Sequence, residues 1–139
     1  ALEVADLNRG KNEISSDLLK FEKADIFEWL KAHNKKYDVI VLDPPALSKS
    51  KENLDKTVRA LVGLHARAFE LLNEGGLLVT CTCSQAITDE ILMSVLREAA
   101  HQTRRTTHIL ERSGPSPDHA PLPGFEEGDY LKAWFVKAD

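Results

Sequence analysis

Two short stretches carry residues fit for chemistry. The first is Asp43-Pro44-Pro45, directly after the apolar run Val39-Ile40-Val41-Leu42. The second is Thr80-Cys81-Thr82-Cys83-Ser84, directly after Gly75-Gly76-Leu77-Leu78-Val79. A carboxylate can hold a hydrogen-bond donor or pass a proton. A thiol, once ionised, is the strongest nucleophile that a side chain offers near neutral pH. A thiol and an acid opening onto one crevice would serve covalent catalysis with a proton-handling group close by.

The surrounding pattern says what must position them. Val39 to Leu42 reads as a strand buried on both faces of a parallel sheet. Neither Pro44 nor Pro45 can donate a backbone hydrogen bond, so pairing must end at Asp43. An acid just past the carboxyl end of a strand stands where open α/β sheets bind ligands. The run Leu77 to Cys83 reads as a second strand. A helical stretch from about Asn53 to Asn73 separates the two, with Leu54, Val58, Leu61, His65, Ala68 and Leu72 on one stripe and Gly75 as its stop. Strand, helix, strand at this spacing is a βαβ unit, whose right-handed crossover lays the second strand beside the first.

The remaining chain supplies further elements. Ala1 to about Arg9 reads as the end of a helix, with Gly10 near its stop, and Asp17 to Lys23 as a short strand. Asp25 stands as an N-cap before a helix with Ile26, Trp29, Leu30 and His33 at helical spacing. A helix from about Thr88 to Gln102 carries Ile91, Leu92, Val95, Leu96 and Ala99. Strands are expected over Thr106–Leu110 and Tyr130–Lys137, one of them antiparallel because no helix separates them. The intervening loop, with Gly114, Pro115, Pro117, Pro121, Pro123 and Gly124, should be irregular and exposed.

Taken together, Lys23 to Leu30, Asp38 to Pro45, Gly75 to Leu78, Thr80 to Ser84, Asp118-His119 and Gly128 to Lys132 resemble the C-terminal part of class I S-adenosylmethionine-dependent methyltransferases. Within that class the chain looks most like the cytosine-C5 methyltransferases of 23S ribosomal RNA typified by large-subunit methyltransferase I. The resemblance implies an α/β fold: a Rossmann-like methyltransferase sheet, mostly parallel with an antiparallel final strand, lacking the fold's N-terminal strands. Residues 1–139 would be the C-terminal part of a catalytic domain. The glycine-rich turn for the methionine end of the cofactor is not in this sequence.

The same resemblance implies roles. Cys83 would be the nucleophile that adds to C6 of cytosine, because C5 is not nucleophilic enough unaided. Asp43 would line the target pocket and take part in the proton steps. Asp25 would meet the adenine amino group of S-adenosylmethionine, with Ile26 or Phe27 against the ring and with Asp43 and Pro44 completing the cofactor set. Pro45, Lys49, Lys51 and His119 would border the RNA substrate. Bland readings stand beside each. Cys83 also reads as a small buried hydrophobe, Asp43 as a strand-end cap and Asp25 as a plain helix cap. Lys49, Lys51 and His119 are ordinary solvated loop residues. Ala120 replaces the proline that follows Asp-His in the family. Cys81 and His65 read as core residues.

Composition sets bounds on function. The 139 residues suffice for one domain with a core, and 42% hydrophobic with 29% charged residues is ordinary for a globular chain. A net charge of −4 gives no global pull on nucleic acid, so a ribosomal RNA partner must be held by a local patch. The two cysteines would lie roughly 6.5 Å apart on one face of an extended strand, near the limit for a bridge. Reduced thiols and a cytoplasmic setting follow. No metal site, membrane span or signal peptide is expected. The strand edge beside Tyr37–Leu42 invites either a homodimer or the strand near Leu18 to pair with it. Two other functions compete: an amino-group methyltransferase, disfavoured because Ala46 is not aromatic, and a non-catalytic RNA-binding or dimerisation module.

Overall fold

A computed structural model of the chain describes residues 1–45, 53–125, 128 and 130–139. They form two units, Ala1–His33 and Asn34–Asp139.

The first unit is helical. Helix α1 spans Leu2–Lys11, and none of its residues is buried. Asn12 follows it, its side chain donating to the Asn8 carbonyl at 2.8 Å. Arg9 pairs with Asp6 at 2.6 Å, donates to the Leu19 carbonyl at 3.0 Å and lies over the Phe21 ring. Helix α2 spans Ile26–Ala32 and begins as expected: Asp25 Oδ1 accepts from the Phe27 and Glu28 amides at 3.0 and 3.2 Å. Trp29 stacks on His33, with ring centroids 3.9 Å apart. The strand expected over Asp17–Lys23 is not formed. Local bonding wins there. The Leu18 and Leu19 amides both donate to the Ser15 carbonyl, and the Asp17 amide donates to Ser15 Oγ. Leu18 is left 83% exposed.

Among the described residues the second unit is a mixed sheet with two α-helices. Strands β1 (Tyr37–Leu42), β2 (Leu72–Thr82), β3 (Thr107–Ser113) and β4 (Lys132–Ala138) lie in the order β1-β2-β4-β3. β1 and β2 are parallel, and β4 runs antiparallel to both of its neighbours. Helix α3 (Leu54–Leu71) connects β1 to β2 and buries Leu61, Leu64, His65, Ala68 and Phe69. Helix α4 (Asp89–Thr103) is capped by Thr88, whose hydroxyl accepts from the Ile91 amide, and buries Leu92, Val95, Leu96 and Ala99. Alternation along the sheet puts Leu78, Thr80, Trp134, Val136 and Ala138 on the buried face.

β2 begins earlier than expected, at Leu72, so α3 stops before Gly75. Gly75 is an irregular point inside the strand, at φ +73, where pairing slips from Tyr37↔Leu72 to Val39↔Leu77. A Cβ on Gly76 would sit 2.9 Å from the Asn73 carbonyl oxygen, so only glycine fits. Asn73 in turn donates to Asp38 at 2.7 Å, tying the start of β1 to the turn. Arg105 donates to the carbonyls of Leu72, Asn73 and Ala138 and closes this end of the sheet.

β1 is not buried on both faces. Val39 and Val41 are 54% and 62% exposed, while Leu42 is 6% exposed. The apolar run did predict a strand, but a β-branched run cannot report whether its second face is covered. Among the described residues β1 pairs only with β2 and is an edge strand.

Candidate active site

The parallel register of β1 with β2 builds the site. Val41 lies opposite Val79, and Leu42 opposite Thr80. The residues that follow are Asp43, just past the end of β1, and Cys81, still within β2. The structure therefore brings Asp43 to Cys81, one pleat earlier than the cysteine that sequence reasoning had paired with it. Electrostatics shows the same neighbour. Burial pushes the Cys81 thiol up from its ordinary value, and the Asp43 carboxylate adds to the shift. A thiol so placed keeps its proton near neutrality and is a poor nucleophile. Cys81 is only part-buried, so it is not the core residue expected from its place inside the strand.

Cys83 lies just beyond the last residue of β2 and is exposed. The residues on either side are fixed: Thr82 and Ser84 are both buried, and the Ser84 amide donates to Thr82 Oγ1 at 3.3 Å. The Ser84 carbonyl then accepts from the Ile87 amide at 3.0 Å. An exposed thiol is thus presented between two anchored residues at the carboxyl end of the central strand. Lys132 pairs with Thr82 and brings a cation to that end; in the sequence it stands only as the last residue of the Gly128 to Lys132 motif.

Pro44 is half-buried and Pro45 exposed, both outside regular structure. Lys49 and Lys51 lie outside the described residues, as do Ala46 and Asp129. His119 belongs to a short 3-10 turn, Pro117–His119, and is exposed. Its Nδ1 is 3.2 Å from Asp118 Oδ2, and Ser116 Oγ donates to the other carboxylate oxygen. The Ser116 hydroxyl first, then the Asp118 amide and His119, hold the Asp118 carboxyl below its usual range. The acid sits between the serine and the histidine, so the trio is not arranged to activate the hydroxyl.

The expected cofactor residues fall in both units. Asp25, Ile26 and Phe27 belong to the first unit, and Asp43 and Pro44 to the second. Asp25 uses one oxygen as the cap; among the described residues the other makes no hydrogen bond. Ile26 and Phe27 are 44% and 38% exposed. A carboxylate oxygen and two exposed apolar side chains, adjacent in sequence, are the kinds of group that can hold a flat aromatic ring bearing an amino group. Capping and ligand binding are compatible at Asp25. Among the described residues no cluster of His, Cys, Asp and Glu could hold a metal, and no helix is long and apolar enough to cross a membrane.

No family model matches the chain. Curated relatives do. The ribosomal RNA large subunit methyltransferase I of Tolumonas auensis is 36% identical over 141 residues, covering 99% of this chain and 36% of the relative. The proteins of that name from Shewanella frigidimarina and Salmonella paratyphi B are 35% and 31% identical, each with 34% of its length covered. The chain therefore spans about a third of the length of these relatives. Among solved structures, SMU.776 complexed with SAH superposes at TM-score 0.78 with 21% identity, covering 94% of this chain and 34% of that one. A methyltransferase homologue from Pyrococcus horikoshii gives TM-score 0.61 with 17% identity, covering 98% of this chain and 49% of that one. The strand-end acid, the strand-end thiol and the antiparallel β4 thus sit in a chain that is a relative of the ribosomal RNA large subunit methyltransferase I proteins and carries part of the methyltransferase fold.

Proposed function

We propose that this chain is part of an S-adenosylmethionine-dependent RNA methyltransferase that modifies C5 of a cytosine in 23S ribosomal RNA, with Cys83 as the nucleophile. The names of the relatives and the SAH in the neighbouring structure support the class of reaction. The observation that carries the mechanism is the exposed Cys83 thiol at the carboxyl end of β2, beside a strand that ends in Asp43.

The cofactor, when bound, supplies an electrophilic methyl group, and Asp25, Ile26 and Phe27 would hold its adenine end. The Cys83 thiolate adds to C6 of the base, forming a carbon–sulfur bond and making C5 electron-rich. After C5 has taken the methyl group, a base removes the C5 proton and the thiolate leaves, restoring the aromatic ring. The Asp43 carboxylate accepts a hydrogen bond from the amino side of the cytosine and handles a proton there. Cys81, held protonated by burial and by Asp43, does not compete for C6. Pro45, Lys49, Lys51 and His119 border the RNA in this reading. The two unbridged cysteines fit a reducing cytoplasm. The bare edge of β1 fits pairing with a second copy.

Mass spectrometry of RNA treated with the full-length protein and S-adenosylmethionine tests the reading. It predicts a methyl group on C5 of cytosine. A methyl group on an exocyclic amino nitrogen favours the amino-group enzyme, and no methylated product favours a non-catalytic RNA-binding module.

A further inference from the structure

Behind the candidate site lies a buried polar pair. His65 and Thr80 are each 1% exposed, in a core that also holds Phe69, Leu78, Trp134 and Val136. His65 Nδ1 is 2.7 Å from the Leu61 carbonyl oxygen, and Nε2 is 2.8 Å from Thr80 Oγ1. The partners decide the tautomer. A carbonyl only accepts, so Nδ1 carries the hydrogen and Nε2 presents a lone pair. Thr80 therefore donates its hydroxyl hydrogen to His65.

The position of the pair gives it a consequence. Thr80 lies on the central strand, opposite Leu42 on β1 and Trp134 on β4. The residue after Leu42 is Asp43, and the residue after Thr80 is Cys81. One hydrogen bond thus links α3 to β2 at its last pairing with β1, two residues before its last pairing with β4. Apolar packing is non-directional and would fill this space without fixing the strand end. A hydrogen bond between two buried groups has one length and one direction.

We propose that His65 is a positioning residue: its bond from Thr80 holds the end of β2 so that Cys83 and Asp43 keep their mutual placement. The proposal rests on Cys83 and Asp43 being the reacting pair. It needs no contact between His65 and substrate.

The test uses the full-length protein with the single variant His65→Gln and the double variant His65→Leu/Thr80→Val. The double variant leaves no buried polar group unpaired and so keeps the fold. Hydrogen exchange at the amides of Cys81 to Ser84 is compared with that at Leu77 to Val79. The expected result for the double variant is an unchanged denaturation midpoint and about tenfold faster exchange at Cys81 to Ser84 alone. A kcat about tenfold lower with KM for RNA unchanged goes with it. His65→Gln, whose amide oxygen can accept the same bond, recovers both the exchange pattern and kcat. Wild-type exchange and kcat in the double variant would overturn the proposal and leave His65 as packing. If the wild-type protein transfers no methyl group, the functional reading fails, and the exchange pattern alone decides the positioning.

Discussion

Leu42 and Thr80 face each other across the parallel pairing of β1 with β2, and this single register contact sets Asp43 against Cys81. The two thiols of β2 thereby receive different surroundings. Cys81 is part-buried beside a carboxylate, whereas Cys83 is exposed beyond the strand end.

Alkylation should report that difference. Iodoacetamide at pH 7 is expected to label Cys83 before Cys81. Labelling of Cys81 should rise only as the pH is made more alkaline, because burial and the Asp43 charge both favour its protonated form. Asp43→Asn removes the charge, lowers the Cys81 pKa and speeds its labelling at fixed pH. Peptide mass spectrometry follows both sites. Equal labelling of the two cysteines at pH 7 would show that their surroundings do not differ.

Methyl transfer should divide the cysteines in the same way. Cys83→Ala is expected to abolish transfer to RNA in the full-length protein, while Cys81→Ala keeps at least part of it. Full activity of Cys83→Ala would remove Cys83 from the reaction.

Stability should depend on His65 below neutral pH. Burial lowers its pKa from 6.5, so the folded chain prefers the neutral ring while the unfolded chain takes up a proton. The sign follows: stability is full above 6.5 and falls as the pH drops through the values below it. Urea unfolding at a series of pH values should show this loss, reduced in the double variant His65→Leu/Thr80→Val. An identical slope in wild type and variant would assign the acid loss to other groups.

Cofactor binding by residues 1–139 alone should be weak. In the proposed reading Asp25, Ile26 and Phe27 would contact the adenine ring, and Asp25 already spends one oxygen as a cap. Calorimetric titration with S-adenosylmethionine is expected to give no low-micromolar binding. A low-micromolar dissociation constant would show that these residues suffice.

The bare edge of β1 carries its own expectation. Val39 and Val41 are exposed, and the edge beside them has no strand partner among the described residues. Light scattering on residues 1–139 should give twice the monomer mass of 15.5 kDa. A mass of 15.5 kDa at high concentration would rule out the dimer.

Much of this architecture was legible because its signals are local. Pro44 and Pro45 stop β1 whatever surrounds them, and Asp25 caps its helix through its own side chain. That one of the last two strands runs antiparallel followed from the lack of a helix between them, and the family resemblance put it in the final strand, β4. What escaped depends on neighbours. The exposure of Val39 and Val41 is set by what covers the sheet, not by their own types. The contact between Asp43 and Cys81 depends on register, and the slip at Gly75 that sets this register is written in no single residue. Leu18 and Phe21 suggested a strand, but Ser15 offered the backbone a nearer partner. His65 was legible as core, whereas its bond to Thr80 needed the packing of α3 on β2.

The central claim is that Cys83 bonds to the target base, and a trapped adduct tests it most directly. RNA containing 5-fluorocytosine cannot lose its C5 substituent as a proton, so the carbon–sulfur bond persists after methyl transfer. Incubated with full-length protein and S-adenosylmethionine, then digested, it should yield a peptide joined to the base through Cys83. No adduct should form with Cys83→Ala. An adduct at Cys81, or methylated RNA with no adduct at all, would contradict the account.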